Sequence, residues 1–193
     1  MVFHILILYK MLFYYTGAIN YLDEQIKSQY SLGGYFSKSV IPNGQTSAIF
    51  SEITQLTHEK NLIEVKAIAL KNTLGITVNN VYFWFEYEVG SYGNFELAVV
   101  TPSQDDEFGY YMEQIQNPRS LPYYATFYPA NGEINKKLLG NLNANEYLGI
   151  WLKRTLNLDE MASALNCDIL KTNFDAGTTL PKLETVKINL QWD

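Results

Sequence analysis

Few side chains in this sequence are spaced for covalent chemistry. The best-placed carboxylates are Glu86 and Glu88, two residues apart in a run of period two. On a strand they share one face about 7 Å apart, and paired carboxylates are what glycoside hydrolysis requires. The same spacing also describes the polar or interface face of a sheet, which is the preferred reading. His58 stands in the polar stretch Thr57-His58-Glu59-Lys60, and His4 in an apolar N-terminal run. Catalysis asks for a base, an orienting group and a pocket together, and neither histidine comes with such company. Cys167 follows Leu165-Asn166 on a predicted helix over 158–170, where a small buried residue is a simpler reading than a reactive thiol.

Metal and phosphate chemistry are no better served. There is no cysteine pair, no histidine pair at helical spacing and no alternating acidic calcium loop. The adjacent carboxylates Asp105, Asp106 and Glu107 read as a solvated loop. Gly33-Gly34 lacks both the following Lys and the helix of a phosphate-binding loop. No catalytic, cofactor-binding or metal-binding residue is expected, and no cofactor. The expectation is a protein that is not an enzyme.

The aromatic residues say more. Tyr82, Trp84, Tyr123 and Tyr124 could form a sugar-stacking platform, but such groups more often fill cores or contact a partner. With Tyr35 they are the candidate interface residues. The chain holds 15 Tyr, 10 Phe and 3 Trp, with 47% hydrophobic and 18% charged residues, the profile of a folded protein. Tyrosine suits pleated surfaces and interfaces alike. A net charge of −6 without any basic run argues against nucleic-acid partners. A single Cys excludes an internal disulfide and fits assembly in a reducing cell.

Residues 2–15 are apolar but interrupted by His4 and Lys10. The run is too short to span a bilayer and lacks a signal peptide's basic start and cleavage site, so no membrane partner is expected. It reads as a buried strand, an arm docked on a neighbour, or an upstream extension. The preferred reading makes residues 1–10 an extension before a natural start at Met11, with a strand over 12–19. Residues 11–193 then form one domain with extended arms at 20–30 and 174–182, since no linker composition divides them.

Period-two alternation and turn residues predict strands over 35–39, 63–70, 78–89, 95–101, 110–115, 125–128, 146–155 and 183–192. The segment 136–142 leads into the 146–155 strand, with a helical alternative open. Within 78–89, Val81, Phe83, Phe85, Tyr87 and Val89 share one face, and Tyr82, Trp84, Glu86 and Glu88 the other. Strands 63–70 and 78–89 form either a hairpin or neighbours across two sheets. Helical spacing predicts short helices over 46–56 and 158–170. The fold class is mainly β, an antiparallel sandwich of jelly-roll or immunoglobulin-like type with one or two short helices.

The order of several segments carries a resemblance. Tyr14-Tyr15-Thr16-Gly17-Ala18 precedes Leu32-Gly33-Gly34-Tyr35-Phe36-Ser37, then Pro42-Asn43-Gly44, Ile49-Phe50 and Leu70-Lys71-Asn72-Thr73. Val81-Tyr82-Phe83 and Tyr147-Leu148-Gly149-Ile150-Trp151-Leu152 follow. From residue 12 to 192 the chain resembles small β-sandwich virion proteins of tailed phages, including the crAss-like phages. The resemblance implies a non-enzymatic structural subunit, assembled in the host cytoplasm into a neck or tail ring. Its partners would be other virion proteins and further copies of itself. A glycan-binding, receptor-binding or head-decorating module of the virion is the alternative. No functional residues carry over, because the group offers no active-site motif.

Overall fold

The computed structural model describes residues 11–18, 28–42, 49–50, 61–87, 93–157 and 186–193. Among these the chain is mostly β. The strands are β1 (Met11–Gly17), β2 (Gly33–Val40), β3 (Asn61–Asn72), β4 (Val78–Tyr87), β5 (Gly93–Val100) and β6 (Ser103–Asp105). They continue with β7 (Gly109–Gln114), β8 (Tyr128–Pro129), β9 (Lys137–Leu142), β10 (Tyr147–Asn157) and β11 (Val186–Gln191). Eight form one strongly curled sheet in the order β6-β7-β2-β1-β3-β10-β5-β8, and three form a second in the order β11-β4-β9. All ladders between the strands are antiparallel. The mainly-β, sandwich-like class read from the sequence is the class observed.

β3 and β10 are the spine. They pair from Tyr147 opposite Lys71 to Asn157 opposite Asn61, and both are buried on both faces. Strand alternation sorts their side chains into two cores. Ile68, Leu70, Ile150 and Leu152 turn toward the small sheet, where they meet Val81, Phe83 and Phe85 of β4 and Phe95 and Leu97 of β5. Val65, Ala67, Ala69 and Trp151 turn the other way, into the hollow where the large sheet curls over itself and brings Phe36 and Met112 down on them. The choice left open between a hairpin and two sheets resolves as two sheets: β3 and β4 belong to different ones.

The curl interrupts the β1–β3 ladder, which ends at Tyr15 opposite Ile68. Buried hydroxyls take over. The Thr16 N–H donates to Ser31 Oγ at 3.0 Å, the Gly33 N–H to Thr16 Oγ1 at 3.0 Å, and the Ser31 hydroxyl to the Ala67 carbonyl. Buried polar groups need such partners. At the other end of β3, the fully buried Asn72 ties three segments together. Its amide nitrogen lies 2.8 Å from Ile76 O, 2.9 Å from Leu142 O and 3.0 Å from Asn143 O, and its Oδ1 accepts from Leu74 N–H. The main chains of Asn72, Asn145 and Glu146 also bond, so the Lys71-Asn72-Thr73 and Asn145-Glu146-Tyr147 segments meet in space.

Some expectations need correction. The strand over 125–128 shrinks to Tyr128–Pro129, because residues 125–127 run without ladder partners beside the second core. Of the eleven strands among the described residues, the three-residue β6 is the one for which the sequence predicts no strand. Residues 137–142 are strand, settling the helical alternative, and a single 3-10 turn, Glu133–Asn135, precedes them. Another 3-10 turn, Ser28–Tyr30, closes the predicted arm at 20–30. The first predicted helix lies outside the described residues except for Ile49 and Phe50, which form a bend. The helix over 158–170, the 1–10 extension, the 174–182 arm, His4, His58, Glu88 and Cys167 also lie outside them.

Candidate interaction surface

The candidate interface residues fall into two groups. Tyr82 and Trp84 sit on the outward side of β4 in the small sheet, both half-buried. Lys136 Nζ lies 4.7 Å from the centre of the Tyr82 ring and donates to Gln191 Oε1 at 2.7 Å. Trp84 stands opposite Asn189 of β11, whose side-chain amide reaches Glu86 Oε2 at 3.3 Å. Glu86 is thus the polar face of a sheet.

Tyr123 and Tyr124 belong to the turn after β7. They are 82% and 88% exposed, with ring centres 4.7 Å apart and nearly perpendicular. Their backbone is held: the Tyr123 N–H donates to both carboxylate oxygens of Glu113, at 2.8 and 3.0 Å. Tyr124 lines a cleft of about 320 Å³ together with Tyr111, Met112, Glu113 and Trp151. Tyr111 in turn lies 5.4 Å from Tyr35, whose ring also meets Phe108 at 5.8 Å. Tyr35, Tyr123 and Tyr124 therefore border one aromatic region along β7, while Tyr82 and Trp84 lie on another sheet. A four-residue sugar platform of Tyr82, Trp84, Tyr123 and Tyr124 is not assembled.

The acidic loop closes the β6–β7 hairpin. Asp105 Oδ1 accepts the N–H groups of Glu107 and Phe108, each at 2.9 Å, so this carboxylate caps a turn. Among the described residues no three His, Cys, Asp or Glu side chains gather as a metal site would require.

Charge is also buried where the sequence suggested only alternation. Glu64 and Arg154 face each other across the β3–β10 ladder and form an ion pair, and Lys66 Nζ lies 3.5 Å from Glu64 Oε1. Lys66 is 1% exposed. Burial pushes its ammonium below the ordinary lysine value, partly opposed by Glu64 and helped by Arg154. The Arg154 guanidinium also stacks 4.9 Å over Phe50. This cluster lies on the face that packs the two sheets together. It can fix the register of β3 against β10; no group positioned to react with a substrate accompanies it among the described residues.

Sequence reasoning missed a second aromatic group: Tyr14, Phe36, Tyr110 and Tyr147, from four different strands. Each reads locally as an ordinary strand residue. Only the curl of the sheet brings them together, and no short-range pattern encodes it. Comparison with known proteins finds no family model, no curated protein and no solved structure that matches the chain.

Proposed function

We propose that the chain is a non-enzymatic structural subunit of a tailed-phage virion, repeated around a neck or tail ring and assembled in the host cytoplasm. The segment resemblance supplies the particle. The observation that carries the reading is the Tyr123–Tyr124 pair, exposed to solvent yet pinned by Glu113. Tyrosine is enriched among residues that dominate binding energy, and a turn already held in place loses little freedom on docking. Tyr111 and Tyr35 extend the aromatic surface behind it. A ring repeats one heterologous contact until it closes, so a single rigid anchor per subunit suffices to build it. Function is then mechanical, through shape and avidity.

The test is mass by light scattering, for the chain alone and mixed with portal and tail proteins. A closed oligomer or a stable complex is expected, and Tyr123→Ser with Tyr124→Ser should abolish it without altering the unfolding transition. A wild-type chain that stays monomeric and ignores those proteins sinks the proposal.

A further inference from the structure

The corner of the large sheet made by β2, β7 and β6 has two unlike faces. Strand alternation sends Phe36, Tyr110 and Met112 inward. There Phe36 and Tyr110 join Tyr14 and Tyr147 at the mouth of the hollow, around a cleft of about 400 Å³. Lys38, the only basic residue of these three strands, lines that mouth. On the outer face Tyr35, Tyr111 and Ser103 stand in a row across the three strands. The Tyr35 ring lies 5.4 Å from Tyr111 and 5.8 Å from Phe108.

Carboxylates surround these rings. Glu113 shares the parity of Tyr111 on β7, and Asp105 stands opposite Gly109, so both belong to the outer face. Asp106 and Glu107 are exposed at the hairpin tip. Partial burial raises the Tyr35 phenol above its ordinary value, reinforced by Asp105, Tyr111 and Glu107, which places these acids beside the ring. Among the described residues none of the four carboxylates enters an ion pair. Asp105 and Glu113 accept only backbone N–H groups, which bring no charge to offset theirs.

This combination selects its occupant. A purely apolar partner would desolvate carboxylates without pairing them, and an acidic one would meet like charge. A guanidinium matches both features, stacking on tyrosine faces and pairing carboxylates through its planar fork. The chain has no basic run of its own, so a second copy has no such segment to offer. β6 ends the sheet, which gives an extended chain an edge to run along. We propose that this outer face docks an extended, arginine-bearing segment of a different protein, its guanidinium groups over Tyr35 and Tyr111 and against the surrounding carboxylates. The inference goes beyond the ring reading and does not depend on it.

Nona-arginine is the probe, with nona-lysine as its counterpart of equal charge, each titrated into the full chain by calorimetry at low salt. Saturable binding of nona-arginine is expected, about fivefold tighter than nona-lysine, whose ammonium groups cannot fork. Asp106→Asn with Glu107→Gln should weaken it about fivefold and Tyr111→Ser about threefold, the scale of exposed ion pairs and cation–π contacts. Glu86→Gln with Glu133→Gln removes the same charge on and beside the small sheet and should leave the affinity unchanged. Absence of binding, equal affinity for the two peptides, or an equal loss in that last variant overturns the proposal. Peptide binding by a chain that stays monomeric supports it while breaking the ring reading; a closed oligomer that ignores the peptide does the reverse.

Discussion

The two faces of β3 solve the same packing problem in different ways. Toward the small sheet stand Ile68 and Leu70, met by Phe83, Phe85 and Phe95, whose rings pack 5.2 to 5.3 Å apart. Separate sheets pack roughly 10 Å apart, and long side chains must bridge the gap. Toward the hollow stand Val65, Ala67 and Ala69, with Ala98 and Gly149 beside them. There the opposing surface is the same sheet returning on itself. A Cβ on Gly149 would lie 3.3 Å from Met112 Sδ, so small residues let the curl tighten. The polar content differs in kind as well: buried ions on the sandwich face, buried hydroxyls on the hollow face. Side-chain size on alternate positions of one strand thus decides where the molecule layers and where it rolls.

The most severe way to break this contrast acts on the hollow. Gly33 has φ +87°, and a Cβ there would stand 1.8 Å from the Glu113 carbonyl and 2.8 Å from the Trp151 ring. Gly33→Ala adds a left-handed backbone penalty of about 1–2 kcal/mol to a clash that moves backbone against backbone. We expect loss of the cooperative urea transition. Gly109 has φ +88° with nothing within 4 Å of its would-be Cβ. Gly109→Ala should therefore cost only the backbone term, about 1–2 kcal/mol. Equal losses in the two variants would show that backbone strain, and not the tightness of the curl, governs this region.

Much of the sandwich face was legible in the sequence, because alternation with large apolar residues is a strong signal: Val81, Phe83 and Phe85 were assigned one face and are buried on it. The hollow was less legible. Ala67 and Ala69 alternate as faithfully as Ile68 and Leu70, yet nothing local says that their partner is the other end of the same sheet. The aromatic mouth was invisible for that reason, since Tyr14, Tyr110 and Tyr147 converge only through pairings distant in sequence. Tyr123 and Tyr124 were found because consecutive tyrosines in a proline-bearing turn have no strand to bury them. The ion cluster was also hidden: nothing local to β3 or β10 says that Arg154 meets Glu64 across the ladder between them.

On the sandwich face the corresponding break is electrostatic. Glu64→Gln removes the negative charge between Arg154 and Lys66, leaving two buried cations on adjacent strands. Removing one partner of a buried pair costs about 3–5 kcal/mol, and we expect a loss of that order in urea unfolding. A loss below 1 kcal/mol would mean that the cluster is well solvated and that both faces of β3 are held by apolar packing alone.

The smallest effect sharpens the comparison further. Lys66→Met keeps the apolar stem and leaves Glu64 paired with Arg154, so removing the extra buried cation should be close to neutral at pH 7. Its signature is in the pH dependence. Because the folded-state value of Lys66 is lowered beneath 10.5, the unfolded chain binds more protons than the folded one between those two values. Stability therefore rises with pH across that window, by at most about 1.4 kcal/mol per unit. The wild type should gain on Lys66→Met as the pH climbs toward 10.5, with shared groups such as Tyr15, raised by burial, cancelling between the two proteins. A stability difference that stays flat with pH would place the Lys66 ammonium in contact with water. The ionic end of the sandwich face would then be as open as the aromatic mouth of the hollow.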